Sequence, residues 1–197
     1  MRVVGGELGG RRLHAPPGSA VRPTADRVRE ALFSILGEVS DARVLDLFCG
    51  TGALGIEALS RGAASATFVD THPGAARRNL ANLNLSSRAE PGGEADRRSR
   101  GTLEHHDVAE VRARLVRADA LNFLRRAPRA AFDLVLCDPP YRLANRIGSE
   151  LDPLISRCLA RGGRAAVESS ARDPLRLSLP LLRERRYGDT LILVYRR

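Results

Sequence analysis

Lysine is absent from this chain: all 32 basic residues are arginine. So complete a replacement points to coding bias, and the identity of the basic residue carries little functional weight. Cysteine is scarce as well. Three cysteines at irregular spacing exclude a disulfide framework and fit a reducing, cytoplasmic setting. No apolar run approaches the roughly 18 residues of a membrane span, so no membrane association is expected. The opening segment MRVVGGELGGRRLHAPP has no apolar h-region, which predicts that no signal peptide is present.

What is present is an ordinary globular composition, 43% hydrophobic and 28% charged, in 197 residues. That length suits one domain with a small extension. Basic residues outnumber the 23 acidic ones, leaving a net charge of +9. Residues 1–29 carry six arginines (Arg2, Arg11, Arg12, Arg22, Arg27, Arg29) against Glu7 and Asp26. Residues 151–197 carry ten against five acids, whereas residues 44–85 hold three of each. Arginine forks onto phosphate, so basic flanks around a neutral middle point to a polyanion partner.

Residues 2–5 and 11–15 are short β-prone runs joined by GGELGG, which predicts a hairpin. After the connector APPGSAVRP, Thr24 is placed to cap a helix over ADRVREALFSIL. From residue 43 the pattern alternates, with strands expected at 43–48, 66–70, 115–118, 132–137 and 164–169 and helices between them. The last of those helices, LDPLISRCLA, is expected to stop at Gly162 and Gly163. An antiparallel pair turning at Tyr187–Thr190 closes the chain. This order predicts an α/β fold with a doubly wound, mostly parallel seven-stranded sheet and an antiparallel C-terminal strand. Residues 1–42 form a basic N-terminal arm of hairpin, RPT loop and helix, and residues 43–197 the main domain. Within that domain residues 86–113 are polar and rich in Gly and Pro, and read as a flexible insertion. His105 and His106 lie there without a cysteine or a second spaced ligand pair, so no metal is expected.

Ligands of such sheets bind at the carboxyl ends of the central strands. VLDLFCGTGALGIEALSRGA (44–63) puts Asp46 at a strand end beside a glycine loop that feeds a helix. Gly50 and Gly52 let the backbone turn sharply and approach a ligand. A pyrophosphate site places G-x-G-x-x-G directly after the strand. An acid beside the loop suits a cationic ligand better, and S-adenosylmethionine (AdoMet), with its ammonium and sulfonium, meets that demand. Asp70 ends the next strand, where a carboxylate can bind a ribose diol, and Asp119 follows the third, placed for an adenine amine. One such acid alone is more often a helix cap. Three at successive strand ends favour the ligand reading.

Asp138-Pro139-Pro140-Tyr141 follows the fourth strand. The prolines hold a rigid turn, so Asp138 and the Pro139 carbonyl become acceptors aimed at an amine, and Tyr141 offers a face for stacking a base. The lone pair of a ring-conjugated amine is delocalised. Two acceptors on its hydrogens favour the pyramidal form and fix it in line with a methyl donor.

With these residues in view, the chain resembles the bacterial RsmD family, which methylates N2 of a guanine in small-subunit ribosomal RNA. The resemblance rests on RVVGGELGGRRL, RPTADRVREALFSIL (22–36), DLFCGTGALGIEALSRGA (46–63), FVD (68–70), RADA (117–120), FDLVLCDPPY (132–141) and YGDT (187–190). It implies the class I methyltransferase, Rossmann-like form of the fold. It implies AdoMet contacts from Asp46, Phe48, Gly50, Thr51, Gly52, Ala53, Leu54, Asp70, Asp119 and Ala120, with S-adenosylhomocysteine as product. It also implies catalysis by Asp138, Pro139, Pro140 and Tyr141 without a metal. The implied partner is 16S rRNA in the assembled or late-assembling small subunit, held by Arg2, Arg11, Arg12, Arg22, Thr24 and Arg27 of a monomeric enzyme. Two departures stand out: the insertion is longer than usual for the family, and Asp70 stands where the family commonly carries Glu.

Three rival readings remain open to test. Cys137 directly precedes the DPP turn, which offers it as the thiolate nucleophile of a C5-pyrimidine methyltransferase, but strand alternation points it away from Asp138. Adenine N6 methylation also uses DPPY but normally needs a sizeable target-recognition domain, and no such stretch exists here. A non-catalytic RNA-binding assembly factor would need only the basic ends.

Overall fold

The computed structural model describes residues 1–15, 23–85, 87–89 and 112–197. Its elements run α1 (Pro23–Leu36), β1 (Arg43–Leu47), α2 (Ala53–Ser60), β2 (Ser65–Asp70), α3 (Gly74–Asn82), β3 (Ser87–Ala89), β4 (Ala113–Arg117), α4 (Ala120–Arg126), β5 (Phe132–Cys137), α5 (Tyr141–Cys158), β6 (Leu159–Ser170), β7 (Leu181–Tyr187) and β8 (Thr190–Arg196). The strands form one sheet in the order β3-β4-β2-β1-β5-β6-β8-β7. Pairing is parallel from β3 to β6, and β8 runs antiparallel to both β6 and β7. The expected seven-stranded, mostly parallel sheet is therefore there, and the three-residue β3 adds an eighth strand at its edge.

Alternation along the strands sends side chains into two cores. Val44, Phe68, Leu134, Leu136 and Ala166 face α1, α2, α3 and the N-terminal segment. Leu45, Leu47, Val69, Val135, Cys137 and Val167 face α4 and α5. Strands covered on both faces read as continuous apolar runs, as FDLVLC does. Val3, Leu13, Val28, Leu32 and Phe33, all in the first 42 residues, are buried in the first of these cores.

Three local expectations need correction. Helix α1 starts at Pro23, which suits the first turn because its missing N–H needs no partner there, so Thr24 lies inside the helix instead of capping it. Helix α5 begins directly after the DPP turn, at Tyr141, and ends at Cys158. Gly162 and Gly163 do not stop it: they lie within β6, where Gly162 takes φ 77° and a Cβ on Gly163 would stand 3.0 Å from the Asp133 carbonyl oxygen. Their role is to let β6 approach β5 across a register shift. Residues 86–113 are not wholly an insertion, since 87–89 and 113 belong to the sheet. Residues 86 and 90–111, His105 and His106 among them, lie outside the described residues.

The N-terminal segment is tied to α2 by a buried carboxylate. Glu57, fully buried, accepts from the Val4 and Gly5 amides at 2.7 and 2.9 Å and pairs with Arg61 at 2.8 Å and Arg29 at 3.4 Å. Arg29 also donates to the Arg2 carbonyl, and the Glu7 amide donates to the Ser60 carbonyl at 2.8 Å. Removing one partner of a buried ion pair costs several kcal/mol, because the other charge stays buried. Glu57→Gln is accordingly expected to lower the unfolding free energy by about 3 kcal/mol in urea denaturation. A loss below about 1 kcal/mol would show that the carboxylate is dispensable.

Candidate active site

A cavity of about 560 Å³ opens at the carboxyl ends of the parallel strands, a size typical of small-molecule sites. Its wall contains Phe48, Gly50, Asp70, Asp119, Ala120, Asp138, Pro139 and Pro140, so the glycine loop and the DPP turn share one space. Val69, Thr71, Ala118, Leu143 and Glu168 complete the lining. Four of these residues are acidic and none is basic.

The loop between β1 and α2 is built from left-handed residues. Gly50 and Gly52 take φ of 53° and 76°, and Phe48 takes 57°. A non-glycine residue in that region costs on the order of 1–3 kcal/mol and marks sites where geometry outweighs strain. Asp46 lies beneath the loop and not on the cavity wall. It is 1% exposed, and its Oδ2 accepts the Gly55 amide at 2.9 Å. Gly55 permits this approach, since a Cβ there would stand 2.4 Å from the Phe68 ring. Burial pushes the Asp46 carboxyl up to about 7; the Gly55 hydrogen bond opposes the shift and the nearby Asp70 charge adds to it.

Asp70 holds the loop from the neighbouring strand. Its two oxygens accept the Gly50 amide at 2.9 Å and the His72 amide at 2.7 Å. Each carboxylate oxygen keeps a further lone pair, so Asp70 can still accept from a diol. Asp119 lies two residues past β4 and caps α4, accepting from the Asn122 amide at 3.1 Å while also lining the cavity. Thr51, Gly52, Ala53 and Leu54 carry the loop into α2 away from the wall.

At the other end of the cavity, Pro140 precedes the first turn of α5, and Asp138 is half-buried on the wall. The Tyr141 side chain lies outside what the structure describes. Cys137 is 1% exposed within the α4–α5 core, and burial pushes its thiol up. It does not line the cavity, which leaves the thiolate reading without support.

Of the arm residues, Arg2 and Arg12 bridge as an antiparallel pair, and both are exposed together with Arg11 and Arg27. Arg22 and the Thr24 side chain lie outside the described part. The arm reaches the glycine loop through Asn79 of α3. This fully buried amide accepts from the His14 amide at 2.6 Å and donates to the carbonyls of His14 at 3.0 Å and Thr51 at 2.8 Å.

Glu57, Asn79 and Glu168 escaped the reading of the sequence. A polar residue on the buried stripe Ala75–Ala76–Leu80 is the one local sign of Asn79. Glu168 is another strand-end acid, like Asp46 and Asp70, and could have been found by the same rule.

The family model described as conserved hypothetical protein 95 matches residues 1–196. The chain is 37% identical over 143 residues to ribosomal RNA small subunit methyltransferase D of Escherichia coli K12, covering 72% of this chain and 61% of that relative. The chain belongs to the RsmD family. It is also 46% identical over 145 residues to YlbH of Bacillus subtilis, covering 72% of this chain and 67% of YlbH. The solved structure of E. coli yhhF superposes with a TM-score of 0.74 at 32% identity, covering 100% of this chain and 97% of that one. Among the described residues no helix is long and apolar enough to cross a membrane.

The raised Asp46 carboxyl has a measurable consequence. Its pKa of about 7 lies above its ordinary value of 3.8, so the folded state binds the extra proton between those values. Stability from this group is present at low pH and lost as pH rises through 7. Asp46→Asn removes that loss. Urea denaturation at pH 5 and pH 8 is expected to show the variant gaining about 2–3 kcal/mol on wild type over that interval. A pH-independent difference would contradict the assignment.

Proposed function

We propose that the protein transfers a methyl group from AdoMet to the exocyclic N2 of a guanine in small-subunit (16S) ribosomal RNA. One observation carries this reading: a cavity joins a left-handed glycine loop to a DPP turn, with four carboxylates and no basic side chain among the described residues of its wall. That lining suits a sulfonium and an ammonium and repels phosphate. Gly50 brings bare backbone to the wall, and Asp70, with lone pairs to spare, suits a ribose. The family membership and the similarity to the E. coli enzyme support the ribosomal substrate.

AdoMet, when bound, supplies an electrophilic methyl group. Asp138 and the Pro139 carbonyl accept the hydrogens of the amine and hold its lone pair in line with that methyl. As the nitrogen becomes positive its proton turns acidic, and Asp138 passes it to water. Asp46 steadies the loop from below through its hydrogen bond with the Gly55 amide. Residues 1–42 act as the RNA-facing arm, with Arg2, Arg11, Arg12 and Arg27 exposed for phosphate.

The test is transfer of labelled methyl from AdoMet to small subunits taken from a strain that lacks the protein. Wild type is expected to label the ribosomal RNA. Asp138→Ala is expected to lose about 10³-fold in turnover while binding S-adenosylhomocysteine within about threefold of wild type. Label absent from RNA with the wild-type protein, or an active Asp138→Ala, would overturn the proposal.

A further inference from the structure

Glu168 stands in the cavity with no role in the steps above. It is the third residue from the end of β6, and the Cys137–Val167 pairing brings it beside Asp138, the residue that directly follows β5. Both line the cavity. Alternation also puts them on one face: Cys137, Val167 and Ser169 are buried, while Glu168 is half-buried. Two neighbouring carboxylates with no basic residue beside them among the described lining need hydrogen-bond donors from a ligand. The Ser169 hydroxyl, by contrast, is used within the fold, accepting from the Leu175 amide at 2.8 Å.

The Watson–Crick edge of guanine supplies donors in a row: N1–H and the two hydrogens of N2. Adenine presents its amine beside a bare N1 lone pair. If Asp138 and the Pro139 carbonyl hold the amine, the acceptor next to Asp138 falls against ring N1. We propose that Glu168 is the specificity-determining residue, its carboxylate accepting N1–H of guanine and repelling N1 of adenine. This assignment rests on the guanine reading above and supplies the reason that a DPPY turn, shared by enzymes of adenine, serves guanine here. Discrimination of this kind comes as much from repulsion of the wrong base as from attraction of the right one. Burial pushes both carboxyls above their ordinary range, and the Glu168 charge raises Asp138 further; the N–H donors of guanine favour the ionised, accepting form of each when the base is bound.

The test uses 2-aminopurine, which keeps the reacting amine and replaces N1–H with a lone pair. The wild-type protein first locates the methylated guanine with labelled AdoMet. Small subunits are then reconstituted with guanine or 2-aminopurine at that position. Wild type is expected to favour guanine by about a hundredfold in kcat/KM. Glu168→Gln, whose amide can also donate, is expected to shrink that preference to tenfold or less. A variant that merely disturbed packing would slow both substrates alike. Equal wild-type rates on guanine and 2-aminopurine would overturn the Glu168 assignment, whatever the variant does, and leave the guanine reading standing. An unchanged preference in a folded Glu168→Gln would also overturn it. Failure of wild type to methylate any guanine would bring down both readings.

Discussion

A parallel strand flanked on both sides by parallel neighbours cannot end in a hairpin. Strand β1 is such a strand, paired with β2 on one side and β5 on the other. The chain must leave its carboxyl end through a loop and return by a helix, and its two neighbours leave theirs in opposite directions along the sheet. The crevice between those departures is where Asp46, Asp70, Asp138 and Glu168 come together, although 122 residues separate the first from the last. Every functional feature is an elaboration of that reversal. The left-handed Phe48, Gly50 and Gly52 turn the chain at its floor, and the two prolines of the DPP turn hold its opposite lip.

The same loop is where the arm and the main fold meet. Glu57 and Asn79 each spend a buried polar side chain on the backbone of the first 15 residues. Asn79 then spends its remaining donor on the Thr51 carbonyl of the glycine loop. Buried polar groups of this kind are costly unless every partner is present. The arm is thus held at one position relative to the cavity. That suits the RNA-presenting role proposed for it, because misplacement by about 1 Å can cost 10²-fold in rate.

The features read correctly from the sequence are those with local causes. The strand FDLVLC, the glycine loop and the terminal hairpin at Gly188 each carry their own periodicity or turn residue. Where a choice depended on residues far away, local rules failed. Gly162 and Gly163 look like a helix stop, yet they serve contact between β6 and β5 about thirty residues earlier in the chain. Glu57 looks like a solvent-facing residue of polar type, and Asn79 shows only its place on a buried stripe; the backbone groups each one holds, in Val4, Gly5 and His14, lie more than 50 residues away. Asp119 caps α4 and also lines the cavity, and the cap leaves lone pairs on its carboxylate unused. The all-arginine charge, prominent as a number, explains none of the site, whose wall is acidic.

The central claim is chemical: this cavity methylates N2 of one guanine in small-subunit RNA. Its most direct measurement is mass spectrometry of nucleosides from that RNA, isolated from cells with and without the gene. The account requires one N2-methylguanosine that disappears on deletion and returns with the wild-type gene. Loss of a C5-methylpyrimidine or an N6-methyladenosine instead, or no change in any methylated nucleoside, would contradict it.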